Sequence, residues 1–309
     1  MIKIINLNKK KDGLFSKDET SIPKKELYNK LNSIIEDLEP RDIYILDNYT
    51  NISFIAIKKN GFILKIDFFR VIISENSLII LEENQNRLLI QDFLNNFNNY
   101  QKKYNYFEFY IFEEILIFVI NIFLNNLDKL IPSVNNLYND NFVNLKNYDF
   151  FLNVQKKFIE LEFRVSYVLE LLNELSLNDE DMVNMYISRK NDKNNQNSDH
   201  DELEFLLENY QKRIQQILND LRKYIKEIEL MKSTISVVLV NNRNDIAIKS
   251  IQISMINLGI STSMLITSIY GMNLKNYIED EDYFFLVIII SSGLFGVLIY
   301  LFIKYCFLV

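Results

Sequence analysis

The sequence predicts an α+β soluble domain followed by long stalk helices and two C-terminal transmembrane helices. Three observations predict this. Residues 251–270 and 283–303 carry no charge, and each meets the roughly 20-residue length that a helix needs to cross a ~30 Å hydrocarbon layer. Apolar residues recur in steps of three and four at Val154, Phe158, Leu161, Val165, Val168, Leu172 and Leu175, and again at Leu203, Leu207, Tyr210, Ile214, Ile217, Leu221, Ile225 and Ile228, which is the seam of paired helices. Between Arg41 and Leu81, Ile and Phe fall in short runs that read as strands.

Taken in order, residues 24–38 predict a first helix. Strands follow at 43–46, 53–57, 62–66, 70–73 and 78–81, with turns at Asp47 and Asn48, Asn60 and Gly61, and Glu75 and Asn76. A small, mostly antiparallel sheet with helices around it is the economical arrangement. Residues 115–124 are apolar but too short to span, and they follow Glu113 and Glu114, so they predict a buried helix. The expected organisation is an N-terminal domain over 1–140, stalk helices over 141–250, a first span over 251–270, a loop over 271–282, a second span over 283–303 and a tail over 304–309. No Gly or Pro interrupts the chain between His200 and Gly259, so the second seam predicts one helix continuing into the membrane, with Asp199 and Glu202 as its capping box.

Composition excludes several functions. A formal net charge of -7 argues against a nucleic-acid partner, which demands a basic face. The chain has one Cys, Cys306, and one His, His200, too few for Cys-based redox chemistry or a Cys/His zinc site. No catalytic triad or convergent carboxylate pair stands out, and no Walker-type Gly-rich Lys motif occurs, so no enzyme and no organic cofactor is expected. The first residues lack the apolar core of a signal peptide and carry Asp12, Asp18 and Glu19, unlike a transit peptide; an address is expected to be internal or missing from this chain. Residues 191–198, rich in Asn, read as a surface insert.

The first span is not apolar all round. Steps of four and three from Arg243 give Ala247, Ser250, Ser254, Asn257, Ser261, Met264 and Ser268, a narrow polar or small stripe. Such a stripe either packs against another helix or faces water, and Asn257 near mid-membrane points to an ion path. With two spans per chain, an aqueous path requires several copies with first spans around a central pore and second spans outside, Gly293 and Gly296 allowing close approach. The loop reads Tyr270, Gly271, Met272, Asn273, Leu274, then Glu279, Asp280, Glu281 and Asp282: a break followed by an acidic rim. Gly271 permits a helix-ending geometry that turns Asn273 toward the axis.

Tyr270, Gly271, Met272 and Asn273 between two C-terminal spans resemble the signature of the CorA superfamily of divalent-cation channels. Further matches point to its eukaryotic mitochondrial branch, the RNA-splicing-protein-two-like proteins. These are Pro40, Arg41 and Asp42; Phe107 and Glu108; Asp181 and Met182 with Met185 and Tyr186; Glu202 through Glu208 with Tyr210; and Arg243 and Asn244. The resemblance implies a funnel-shaped homopentameric channel for Mg2+ with Asn273 at the outer mouth, Arg243 at the pore entry and internal Mg2+ as a regulatory ion. It also implies the mitochondrial inner membrane, other organellar membranes and the plasma membrane staying open. Val240 stands where the branch usually carries an acidic residue.

Magnesium gives up water reluctantly, so Asn273 amide oxygens are expected to recognise the hydrated ion through its water. Glu279 to Asp282 would concentrate cations at the mouth, or form a solvated linker. Arg243 would act as an electrostatic brake, or pair with a stalk carboxylate such as Glu229. Lys and Arg bias places both termini on the inner side. The competing reading is a non-conducting, membrane-anchored tether whose seams bind a partner coiled coil.

Overall fold

The computed structural model describes residues 2–9, 15–23, 26–32, 34–46, 52–83, 86–97, 106–139, 146–190, 200–272 and 283–308. They fall into two compact units, Met1–Leu230 and Met231–Val309. The first holds a six-stranded sheet of β1 (Ile2–Lys9), β2 (Phe15–Ile22), β3 (Phe54–Ile57), β4 (Gly61–Ile66), β5 (Phe69–Ser74) and β6 (Ser77–Glu82). Its order is β2-β1-β6-β5-β4-β3, and every neighbouring pair is antiparallel.

Four of the five expected strands are present as β3 to β6. The fifth, at 43–46, is instead part of helix α2 (Pro40–Leu46). Pro40 supplies a fixed φ at the first helical position, and the Glu39 N–H donates to Asp42 Oδ2 at 2.9 Å, the back half of a capping box. Asp42, 2 % exposed, also pairs with Lys58 Nζ at 2.7 Å. These bonds outweigh the strand-favouring run Ile43, Tyr44 and Ile45. The first helix is shorter than expected: α1 covers Leu27–Asn32, and residues 34–37 form turns, with Asp37 left-handed at φ 64°.

Strands β1 and β2 were not expected. In β1, Ile2, Ile4, Ile5 and Leu7 are buried. β2 carries Lys17, Asp18 and Glu19 and is mostly exposed, as suits a charged edge strand that resists pairing with other chains. Lys17 and Lys3 hold Glu19 at 2.7 Å and 2.6 Å, drawing its carboxyl down to about 2 through those hydrogen bonds.

Both sheet faces are covered. One packs Ile4, Ile63, Ile72 and Ile79 against Leu27, Leu31, Ile35 and Leu46. The other meets helices α3 (Arg87–Asn96) and α4 (Phe107–Asn139): Phe69 lies 5.0 Å from Phe93 and 5.7 Å from Phe118, and Phe62 lies 6.4 Å from Phe112. The apolar segment at 115–124 is the buried part of α4, with Ile115, Leu116, Val119, Ile120 and Phe123 at 0–1 % exposure. Asp67 in the β4–β5 turn, at φ 53°, accepts two hydrogen bonds from Arg164 at 2.7 Å and 2.6 Å, which ties that turn to α5 (Lys146–Ser176).

The two seams form the expected helices. Every named seam residue of α5 is buried, as is every one of α8 (Asp201–Tyr270) except the half-buried Ile225. Arg222 Nε donates to Glu162 Oε1 at 2.9 Å and Gln211 Nε2 to the Leu172 carbonyl at 3.0 Å, so α5 and this part of α8 run antiparallel. Asp199 and residues 191–198 lie outside the described residues. Among the described residues between α5 and α8 stand two short helices, α6 (Asp179–Asn184) and α7 (Ile187–Lys190). Met182, Met185 and Tyr186 are buried there, Tyr186 packs edge-on against Phe109 at 4.5 Å, and burial pushes its phenol up to about 12.

Two carboxylates inside this unit lock the helices. Glu108, fully buried, accepts from the Ser188 N–H at 3.0 Å and the Ser188 hydroxyl at 2.8 Å; Glu113 accepts from the Tyr210 hydroxyl at 2.8 Å. Burial raises the Glu108 carboxyl above its ordinary value, and the Ser188 bonds only partly counter it. A carboxyl raised on folding costs no stability below its unfolded pKa and destabilises the fold as pH climbs through its folded pKa. Glu108→Gln keeps an acceptor for Ser188 without the charge. Its stability relative to wild type is therefore expected to improve as pH rises above about 4, measured by thermal unfolding in detergent at stepped pH. A difference that stays flat across the range would show that folding does not raise the Glu108 carboxyl and would overturn this reading.

Candidate ion-conducting segment

The second unit holds Met231–Tyr270 of α8 and helix α9 (Tyr283–Leu308). At ~1.5 Å per residue the 70 residues of α8 measure about 105 Å. Both α8 and α9 contain windows long and apolar enough to cross a membrane, and only 11 % of each window is buried. A soluble core helix of that hydropathy would be mostly buried, so these side chains face something other than their own chain.

Within the unit the two helices touch through backbone. A Cβ on Gly296 would collide with Ser263 Oγ and come within 2.9 Å of the Gly259 carbonyl oxygen; one on Gly259 would come within 2.9 Å of the Gly296 oxygen. The Ser263 hydroxyl lies 3.0 Å from the Gly259 carbonyl and 2.9 Å from the Ser292 carbonyl, the second contact crossing between helices. Ser292 is 5 % exposed and Met255 is 6 % exposed. The close approach expected of Gly296 is present, with Gly259 as its partner. That expected of Gly293 is not, since a Cβ there meets nothing within 4 Å. Gly259 and Ser263 were missed by the reading of the sequence, although they stand four apart, as do Ser292 and Gly296, the small-xxx-small spacing of membrane helix pairs.

The polar stripe lies elsewhere on α8. Arg243, Ala247, Ser250, Ser254, Asn257, Ser261, Met264 and Ser268 are all exposed. At 100° per residue their mean direction is about 165° from that of Met255, Gly259, Ser263 and Ile266, the face toward α9. Packing against the chain's own second span therefore does not account for the stripe. Ser254 bonds back to the Ser250 carbonyl at 2.9 Å, so its hydroxyl proton is satisfied within the helix.

Helix α8 ends at Tyr270. The Gly271 N–H still donates to the Thr267 carbonyl at 3.0 Å, and the Met272 N–H to that of Ile269 at 3.4 Å. Gly271 is outside the left-handed region, so the helix ends without the reversed residue that glycine would permit there. Met272 is exposed. Asn273 and the acidic residues Glu279, Asp280, Glu281 and Asp282 lie outside the described residues.

The family model for magnesium transporter MRS2-like proteins matches residues 7–243, more than half of the chain. The chain belongs to the MRS2-like magnesium transporter family. Among members of this family, the Saccharomyces cerevisiae protein named magnesium transporter MRS2, mitochondrial, is 24 % identical over 294 residues, covering 90 % of this chain and 61 % of its own. The mitochondrial inner membrane magnesium transporter MRS2 of Kluyveromyces lactis is 35 % identical over 116 residues, covering 38 % of this chain and 26 % of its own. The chain thus spans less than two-thirds of the length of either relative. The fold is also that of the CorA magnesium transporter from Methanocaldococcus jannaschii, at TM-score 0.62 and 15 % identity over 98 % of this chain and 97 % of that one. The full-length CmaX protein superposes at TM-score 0.61 and 10 % identity, covering 96 % of this chain and 95 % of that one.

Several of the residues that carried the resemblance are structural in this MRS2-like chain. Pro40 and Asp42 start α2, Glu108 holds Ser188, Met182, Met185 and Tyr186 are core, and Tyr210 bonds Glu113. Their contribution is the shape of the first unit.

Proposed function

We propose that the chain is a magnesium channel, in which copies surround a pore lined by the α8 stripe and capped by the Gly271, Met272 and Asn273 loop. The observation that carries this is the direction of the stripe: seven polar or small positions exposed on the face of α8 turned away from α9, with Met264 at the margin of that face. Polar groups such as Asn257 are costly against lipid, and one chain contributes only one such face, so a water-filled path needs several copies. Five is the number that the resemblance to CorA implies. A tether would leave the stripe without a physical reason.

In this arrangement Arg243 opposes cations at the inner end and Asn273 stands at the outer mouth, where its amide oxygen accepts hydrogen bonds from the ion's coordinated water. Conduction needs binding strong enough to attract and weak enough to release; an amide ring meets this better than a carboxylate ring. Glu279 to Asp282 raise the local cation concentration. Arg243, Lys249 and Lys304 against Lys275 and four acids in the loop place both termini inside. The relatives' names support the mitochondrial inner membrane. No energy coupling is required: a doubly charged ion crossing about 150 mV gains roughly 7 kcal/mol.

The test is magnesium influx into dye-loaded proteoliposomes containing the purified chain, with an inside-negative potential. Influx that scales with the potential is the expected result. A folded, oligomeric protein that passes no magnesium at any potential would overturn the channel reading and favour the tether.

A further inference from the structure

Helices α8 and α9 each carry one lysine at the same end of the membrane segment: Lys249, just before the uncharged run 251–270, and Lys304, just after 283–303. The register of the helices brings the two together in height. Gly259 stands against Gly296, and the Ser263 hydroxyl meets the Ser292 carbonyl. Eight residues on from the glycine pair, Lys304 falls opposite Ile251, two residues or about 3 Å along the axis from Lys249.

Direction agrees with height. At 100° per residue Lys249 lies within about 20° of Ile256 and Ile260, and Lys304 within about 40° of Gly293, Val297 and Tyr300. Those residues belong to the two walls of a groove of about 590 Å³, whose floor is the contact of Gly259, Ser263 and Gly296. Both lysines are exposed, and among the described residues neither has an ion-pair partner. The nearest acid on α8, Asp245, stands one turn further from the uncharged run.

We infer that Lys249 and Lys304 hold the headgroup of an anionic phospholipid whose acyl chain lies along the groove. The phosphate sits between the two ammonium groups, and the chain passes Ile256, Ile260 and Val297 in the room left by Gly293, where a Cβ would meet nothing within 4 Å. Charge complementarity selects this occupant. The apolar walls accept any lipid chain, but two cations at headgroup level favour a lipid of net negative charge over a zwitterionic one, whose own cation opposes them. The pore makes no use of this face, since Lys249 lies about 110° from the mean direction of the stripe. The inference therefore needs the two spans and not the pore.

The chain contains no Trp, so Tyr300→Trp places a single fluorophore in the groove. The test is quenching of its fluorescence in full-length protein reconstituted into equal parts of phosphatidylglycerol and phosphatidylcholine, with one or the other lipid brominated on its acyl chains. Quenching is expected to report a preference for phosphatidylglycerol of at least about fivefold, the effect of roughly one lysine. Adding Lys249→Gln and Lys304→Gln is expected to remove the preference. Lys249→Arg with Lys304→Arg should keep it, and added salt should weaken it by screening. Phe302→Trp, about 200° around α9 from position 300 and 69 % exposed as Phe, is expected to show none. Equal quenching by both lipids at position 300 would mean ordinary boundary lipid, and no quenching by either would mean a groove closed by protein. A preference that survives both glutamines, or that is as strong at position 302, would mean a general attraction to the membrane surface. Each of these outcomes overturns the inference, and none of them bears on magnesium influx, which tests the pore separately.

Discussion

Asn273→Ala is expected to abolish potential-driven magnesium influx while the protein still assembles. The hydrated ion keeps an octahedral shell that it dehydrates only reluctantly, so the mouth must offer acceptors to water, and alanine offers none. Losing a hydrogen bond to a charged centre costs about 1.5–3 kcal/mol, and several copies lose theirs together, so the barrier rises by more than one such bond and the rate falls at least about 10-fold. Asn273→Gln, one methylene longer, retains the amide and should restore a fraction of the flux. Size-exclusion chromatography of Asn273→Ala must match wild type for the comparison to bear on selectivity. Influx equal to wild type would move the filter away from this loop.

The second large effect is expected at Gly296. A single added methyl meets the Gly259 carbonyl at 2.9 Å and collides with the Ser263 hydroxyl. Ser263 is held by its contact with the Ser292 carbonyl, and a helix backbone cannot rotate away as a side chain would. Overpacking of this sort costs about 1–3 kcal/mol, so Gly296→Ala should lower the melting temperature in detergent by about 3–10 °C. Gly293→Ala, with open space around its Cβ, should move it far less. Equal shifts from the two substitutions would mean that α8 and α9 do not meet at Gly259 and Gly296.

Much of the chain was legible without its structure because the signals are local. A span is recognised by length and lack of charge, a seam by spacing along one helix, and the stripe by the same arithmetic; all three are properties of a helix considered alone. The errors came where partners decide. Residues 43–46 look like a strand by composition, and the Glu39 to Asp42 bond makes them helix. Strand β2 has little apolar alternation and exists through its register with β1. Glu108 gives no sign that it holds Ser188, 80 residues away.

The sequence alone determined two apolar helices long enough to cross a membrane, a long helix leading into the first, and one polar face on that helix, since periodicity and hydropathy need no partner. Only tertiary structure decided that Gly259 and Gly296, not Gly293, bring the spans together, and that the polar face points away from the second span. Those outcomes depend on which sides of two helices meet, and that is set by backbone approach and by the reach of Ser263 across the interface, quantities that spacing along one chain does not contain.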